Sequence, residues 1–152
     1  MYLAIVVLLM GVLPIASVVL EMALAPGADL FLLIGKWFVF WAIGIRLLIA
    51  GVSQVSKPQT TANILGMKDE ASFVIVRELG FANLSIGSIA AAALLIPGWT
   101  NAAALAGGIF LGLAGVNHLL KGERNAKENI AMISDFAIAG VMALFLIAVA
   151  MR

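Results

Sequence analysis

Apolar runs of membrane-spanning length alternate along this chain with short polar breaks. A helix that crosses a bilayer needs about 20 mostly apolar residues. Five segments meet that requirement, at about 2–24, 30–52, 71–96, 101–120 and 129–151. The breaks carry turn chemistry: Pro26-Gly27-Ala28-Asp29 follows the first span, Pro97-Gly98-Trp99 the third, and Lys121-Gly122-Glu123-Arg124-Asn125 the fourth. The longest break, from Ser53 to about Glu70, has room for a short surface helix capped by Thr60 or Thr61, with Ile64, Leu65 and Met67 as its apolar side. A plain connecting loop fits there equally well. The expected fold class is all-α, a polytopic membrane helical bundle of five transmembrane helices forming one domain over residues 1–152. Removal of the first segment as a signal would leave four. Met1-Tyr2-Leu3 lacks a basic n-region and the run after it is long for a signal, which favours a retained helix, although Ala23-Leu24-Ala25 has the small-residue form of a cleavage site.

Composition strengthens the membrane reading and removes several chemistries. The chain is 64% hydrophobic and 11% charged, with a mean hydropathy of +1.16. A soluble domain is nearer half apolar and a quarter charged, so too few polar residues are present to clothe a soluble core. A net charge of +1 gives no electrostatic footprint for nucleic acid. The absence of cysteine removes disulfides, thiolate catalysis, Cys-ligated metals and S-acylation together. One histidine, His118, cannot make a multi-histidine metal site or a bis-histidine haem. Phosphate-binding glycine loops, zinc motifs and nucleophile elbows are missing from the sequence. No cofactor or catalytic residue is expected, and an enzyme ranks behind the other functions.

Loop charge predicts orientation. Lys57 and Lys68 follow the second span, and Lys121, Arg124 and Lys127 follow the fourth, all on one side of a five-span chain. The positive-inside rule makes those loops cytoplasmic in an inner (cell) membrane, with the N-terminus inside and the C-terminus outside; Arg152 dissents.

Charges within the spans are the candidate chemistry. At about 1.5 Å per residue, Arg46, Arg77, Glu78 and Asp135 fall roughly 10 Å inside the cytoplasmic face, with Asn117 and His118 slightly shallower. Two cations and two anions at one depth predict a neutralised cluster. Neighbours on a helix point about 100° apart, so the expected pairs are Arg77 with Asp135 and Glu78 with Arg46. Glu21 and Lys36 are expected to pair nearer the other side. One charge at a span centre costs about 2.5–3.5 kcal/mol on insertion scales, whereas hydrogen bonds between membrane helices average about 0.6 kcal/mol. Two readings follow: a structural ion-pair network, or a site in which the arginines hold an anionic group and Glu78 or Asp135 exchanges a proton. His118, beside Asn117, fits a proton gate or a residue at a helix end.

Small residues form two stripes, Gly80, Asn83 and Gly87 with Ala91 on the third span, and Gly108 and Gly112 with Ala104 on the fourth. Both suit close helix packing, and the second suits a homodimer contact as well. The aromatic cluster Trp37-Phe38-Val39-Phe40-Trp41 suits lipid or a neighbouring helix near one interface.

The segments Arg46-Leu-Leu-Ile-Ala-Gly-Val-Ser-Gln54 and Arg77-Glu-Leu-Gly-Phe-Ala-Asn-Leu-Ser-Ile-Gly87 are similar to those of small bacterial DoxX-like membrane proteins. More closely, they resemble a family of small integral membrane proteins known only as a domain of unknown function. The resemblance covers spans two to five and implies a compact bundle, typically of four spans, to which this chain adds an N-terminal segment. It implies no catalytic residue. The leading function is small-molecule binding or proton-linked transport through the charged cluster. The rival is an accessory or assembly subunit that docks another membrane protein, with the charges purely structural. Expected partners are the lipid bilayer, a small-molecule ligand, and a second copy or larger membrane complex.

Overall fold

The computed structural model describes residues 2–67 and 69–152. They form an all-α polytopic bundle, with no strand among the described residues. Five helices are long and apolar enough to cross a membrane: α1 (Tyr2–Leu24), α2 (Leu30–Ser56), α4 (Ser72–Ala92), α5 (Pro97–Leu120) and α6 (Ala126–Ala150). A short helix, α3 (Pro58–Ile64), lies between α2 and α4.

Helix ends depart from the apolar runs wherever polar chemistry sets the boundary. Helix α2 continues through Ser53 and Gln54 to Ser56 and stops before Lys57-Pro58, because the residue preceding a proline is driven out of helical geometry. Helix α3 begins with Pro58 in its first turn and has no side-chain cap, so neither Thr60 nor Thr61 plays the expected role. It is followed by Gly66 at φ 75°, a left-handed turn that favours glycine. Helix α6 starts ahead of Asn129. Asn125 Oδ1 accepts from the backbone N–H groups of Lys127 and Glu128, both at 3.0 Å, and Glu128 Oε2 accepts from Asn125 N–H at 3.0 Å. That reciprocal capping box satisfies donors otherwise orphaned at the helix start. At the start of α2, Asp29 Oδ1 accepts from Phe31 and Leu32 N–H at 2.9 and 3.2 Å.

Two spans contain widened π-helical turns, Leu8–Val12 in α1 and Val39–Ile45 in α2. Pro14 accounts for the first. It has no N–H to give the Met10 carbonyl, and its ring crowds that carbonyl, so the backbone shifts to longer bonds such as Leu13 N–H to Leu8 O. In α2 the wider turn lets Val39, Ala42, Ile43 and Gly44 all face the interior, directly before Arg46. Around them pack Leu47, Leu111, Ile138, Met142 and Phe145, the centre of the core.

Backbone approach between helices depends on glycine. A Cβ on Gly51 would lie 2.8 Å from the Gly80 carbonyl, one on Gly87 2.9 Å from Leu48 N, and one on Gly44 2.9 Å from Ala91 N. Helices α2 and α4 therefore meet through glycines seven residues apart on each partner. On α5, Gly108 and Gly112 face Met142 and Ala139 of α6, within the chain.

Candidate functional site

Buried charge is present as two ion pairs, Arg46 with Asp135 and Lys121 with Glu128, while Arg77 and Glu78 stand apart from them. Arg46 Nη2 donates to Asp135 Oδ1 at 2.6 Å, joining α2 to α6. Their side chains are only 15% and 5% exposed. Helices α2 and α6 run antiparallel. Arg46 stands ten residues before Ser56 and Asp135 nine residues after Ala126, so each lies about 14–15 Å from the α3 end. Arg46 Nη1 is buried and has no hydrogen-bond partner among the described residues.

The expected pairs of Arg77 with Asp135 and Glu78 with Arg46 are not formed. Both Arg77 and Glu78 are exposed on the outer face of α4, and neither enters a salt bridge among the described residues. Helical phase explains the difference. The buried stripe of α4 is Val76, Gly80, Asn83, Gly87 and Ala90. Glu78 lies two residues from both Val76 and Gly80, about 200° round the helix and thus on the opposite side. Depth differs as well: Arg77 and Glu78, five and six residues after Ser72, lie about 8–9 Å from the α3 end, against about 14–15 Å for Arg46 and Asp135.

The stripe holds a polar contact of its own. Asn83 Nδ2 donates to Gln54 Oε1 at 2.6 Å across the α2–α4 seam, with both side chains buried. Asn83 Oδ1 has no partner among the described residues.

Glu21 and Lys36 meet at 2.7 Å, and Trp37 Nε1 donates to the same carboxylate at 2.7 Å. Trp41 Nε1 donates to Ser17 Oγ at 3.0 Å. The aromatic cluster of α2 thus turns its polar edges toward α1. Beyond them, at the end opposite α3, Arg152 pairs with Asp29. The guanidinium beside it, with help from the Leu32 and Phe31 N–H groups, holds the Asp29 carboxyl below the usual carboxylate range; the same contact raises Arg152.

The α3 end is tied by a second set. Lys121 Nζ binds Glu128 Oε1 at 2.5 Å and the Leu65 carbonyl at 3.0 Å. Asn125 Nδ2 donates to the Ile64 carbonyl at 2.8 Å. Arg124 Nη1 caps the end of α5 through the carbonyls of His118, Leu119 and Lys121. Asn117 is exposed and His118 half-buried, bordering a shallow surface pocket with Leu65, Met67, Lys121 and Glu128. Lys68, counted in the basic loop, lies outside the described residues.

Sequence reasoning missed the Lys121–Glu128, Asn83–Gln54 and Asp29–Arg152 contacts. One signal was available: Asn125 followed three residues later by Glu128, the spacing of a capping box. A second was the matched seven-residue spacing of Gly44 and Gly51 with Gly80 and Gly87, which points to a seam and to Gln54 one turn beyond it.

The site therefore offers a buried neutral pair with one spare donor, and an outward acid–base pair on α4. A protein-family model described as "Family of unknown function (DUF6790)" matches residues 1–152. No curated protein and no solved structure matches the chain.

Proposed function

The chain belongs to DUF6790, a family of unknown function, and from that premise we propose that it is a membrane-embedded assembly module that docks another transmembrane segment on the outer face of α4. One observation carries this reading: Arg77 and Glu78 point away from the bundle. Helix α4 is 21 residues long, or about 31 Å, close to the roughly 30 Å thickness of the hydrocarbon layer. Arg77 and Glu78 come five and six residues after Ser72, about 8–9 Å inside that layer. Charged side chains in spans ordinarily turn inward to a partner or a water-filled cavity. Arg77 can snorkel toward headgroups, but the shorter Glu78 sits deeper and needs a cation brought to it. Successive residues on a helix do not face one another, so Arg77 of the same helix is poorly placed to serve.

The buried Arg46–Asp135 pair supports the same reading, because a close-packed pair between α2 and α6 has a structural use. Replacing Arg77 and Glu78 together by leucine should leave the bundle folded while removing a higher-mass species seen by light scattering in mild detergent. A wild type that stays monomeric and partner-free in detergent and in lipid overturns the proposal.

A second reading rests on Arg46 Nη1, buried without a hydrogen-bond partner among the described residues. A small anion or an ordered water would satisfy that donor, keeping a binding or proton-linked role for Arg46 and Asp135. Its test is binding of small carboxylates or phosphate to the purified protein, abolished by Arg46→Met; no binding by the wild type sinks it. The expected inner-membrane orientation, with the α3 end cytoplasmic, belongs to the proposal and is supported by Lys57, Lys121, Arg124 and Lys127 at that end. So does the DoxX-like likeness, on which α2 to α6 would carry the shared core and α1 would be an addition.

A further inference from the structure

We infer that the segment docked on α4 is α4 of a second copy of this chain, related by a twofold axis along the membrane normal, with Arg77 of each copy paired to Glu78 of the other. The inference rests on the docking proposal and names its partner.

The outer face of α4 has the periodicity of a helix-pairing seam. Val74, Glu78, Phe81, Ser85, Ser88 and Ala92 follow one another in alternating steps of four and three residues, and all are exposed or half-buried. That is the seven-residue repeat of left-handed helix pairs. The seam lies opposite the buried Gly80–Asn83–Gly87 stripe, so it is left uncovered by the described residues. Its polar and small members set it apart from a lipid-facing surface of leucine and isoleucine, and α4 is the least apolar of the five spans. Ser85 Oγ donates to its own Phe81 carbonyl at 2.8 Å, which folds the hydroxyl against the backbone and leaves a small surface for close approach.

Charge complementarity then selects a second copy. In a parallel pair each seam residue enters a hole formed by four residues of the facing helix. For Glu78 the hole consists of Val74, Arg77, Glu78 and Phe81 of the second copy. The cation that Glu78 lacks among the described residues is therefore supplied by the adjacent residue of the same sequence, at the same depth. A twofold axis repeats the contact reciprocally, as isologous interfaces do. Two Glu78 carboxylates at the axis are balanced by two flanking guanidinium groups, and the four-charge set is neutral.

Two experiments test this. A photo-crosslinking amino acid placed at Phe81 in cells should give a product of twice the chain mass. A product of another mass alone would overturn the second-copy inference and keep the docking proposal; no product on irradiation would overturn both. Charge exchange supplies the independent check. Arg77→Glu and Glu78→Arg should each weaken self-association by about a hundredfold or more, because like charges then face one another. Mixing the two single variants should restore a mixed dimer, and the double exchange in one chain should restore the homodimer. Folded single variants that dimerise as well as the wild type, or that fail to recover on mixing, would overturn the pairing.

Discussion

Arg46 is held by a single charge-assisted bond in a nearly closed site, so losing its partner and losing the whole pair should have different outcomes. Asp135→Leu strands a buried guanidinium and is expected to destabilise the bundle by about 3–5 kcal/mol. The double variant Arg46→Met with Asp135→Leu, which removes both charges and keeps the volume, should recover most of that loss. Denaturant titration in micelles of both single variants and the double measures the cycle; a double-variant loss equal to the sum of the two single losses would mean that the pair has no coupling. Asp29 gives a pH prediction at the other end. Its carboxyl is held below its ordinary value by Arg152, so the folded state binds this proton less readily than the unfolded state. The contribution is complete above the unfolded pKa of about 3.9 and fades as pH falls through the folded value. Asp29→Asn should flatten the acid limb of the stability curve by lowering stability at neutral pH, where the contribution is fully present, so that variant and wild type converge as pH falls; parallel curves at all pH values would refute this. At this scale the sequence exposed which residues are anomalous, and left their partners open. Arg46 and Asp135 were recognisable as buried charges, but their pairing depended on helical phase, and the counting of depth contains no phase.

Helices were legible wherever apolar length decided the matter, which is why five spans could be marked. Their ends were not, because Gln54 and Glu128 are polar yet lie inside continuous helix, one in a seam and the other in a capping box. The seam itself depends on the backbone. Gly51→Ala or Gly80→Ala would push a methyl group to about 3 Å from backbone or a neighbouring Cβ. Each is expected to lower stability by about 1–3 kcal/mol through forced separation of α2 and α4. Gly140→Ala is the control, since nothing lies within 4 Å of its added Cβ. Helix propensity there favours alanine by up to about 1 kcal/mol. Thermal unfolding in detergent separates the cases, and equal effects at Gly51 and Gly140 would refute the close-approach argument.

The whole molecule is fastened around α6. The segment following it closes the far end through Arg152 and Asp29, Asp135 ties its middle to α2, and Glu128 anchors its start to Lys121. Five spans place the α3 end and the opposite end on different sides of the membrane, and the lack of cysteine makes that easy to test. Gly98→Cys and Gly122→Cys add side chains where nothing lies within 4 Å. An impermeant thiol reagent should label the first in intact cells and the second only after permeabilisation, and the reverse pattern would invert the orientation. The Arg46–Asp135 bond spans 89 residues of sequence, and that separation is also an interval of time. At roughly 5–20 residues per second, Arg46 is synthesised about 4–18 s before the carboxylate that neutralises it. During that interval α2 carries an unmatched cation and cannot settle at its final depth without penalty. Synthesis of the last span therefore ends the wait, and a chain interrupted before Asp135 remains distinguishable from a finished one by a charge still seeking water.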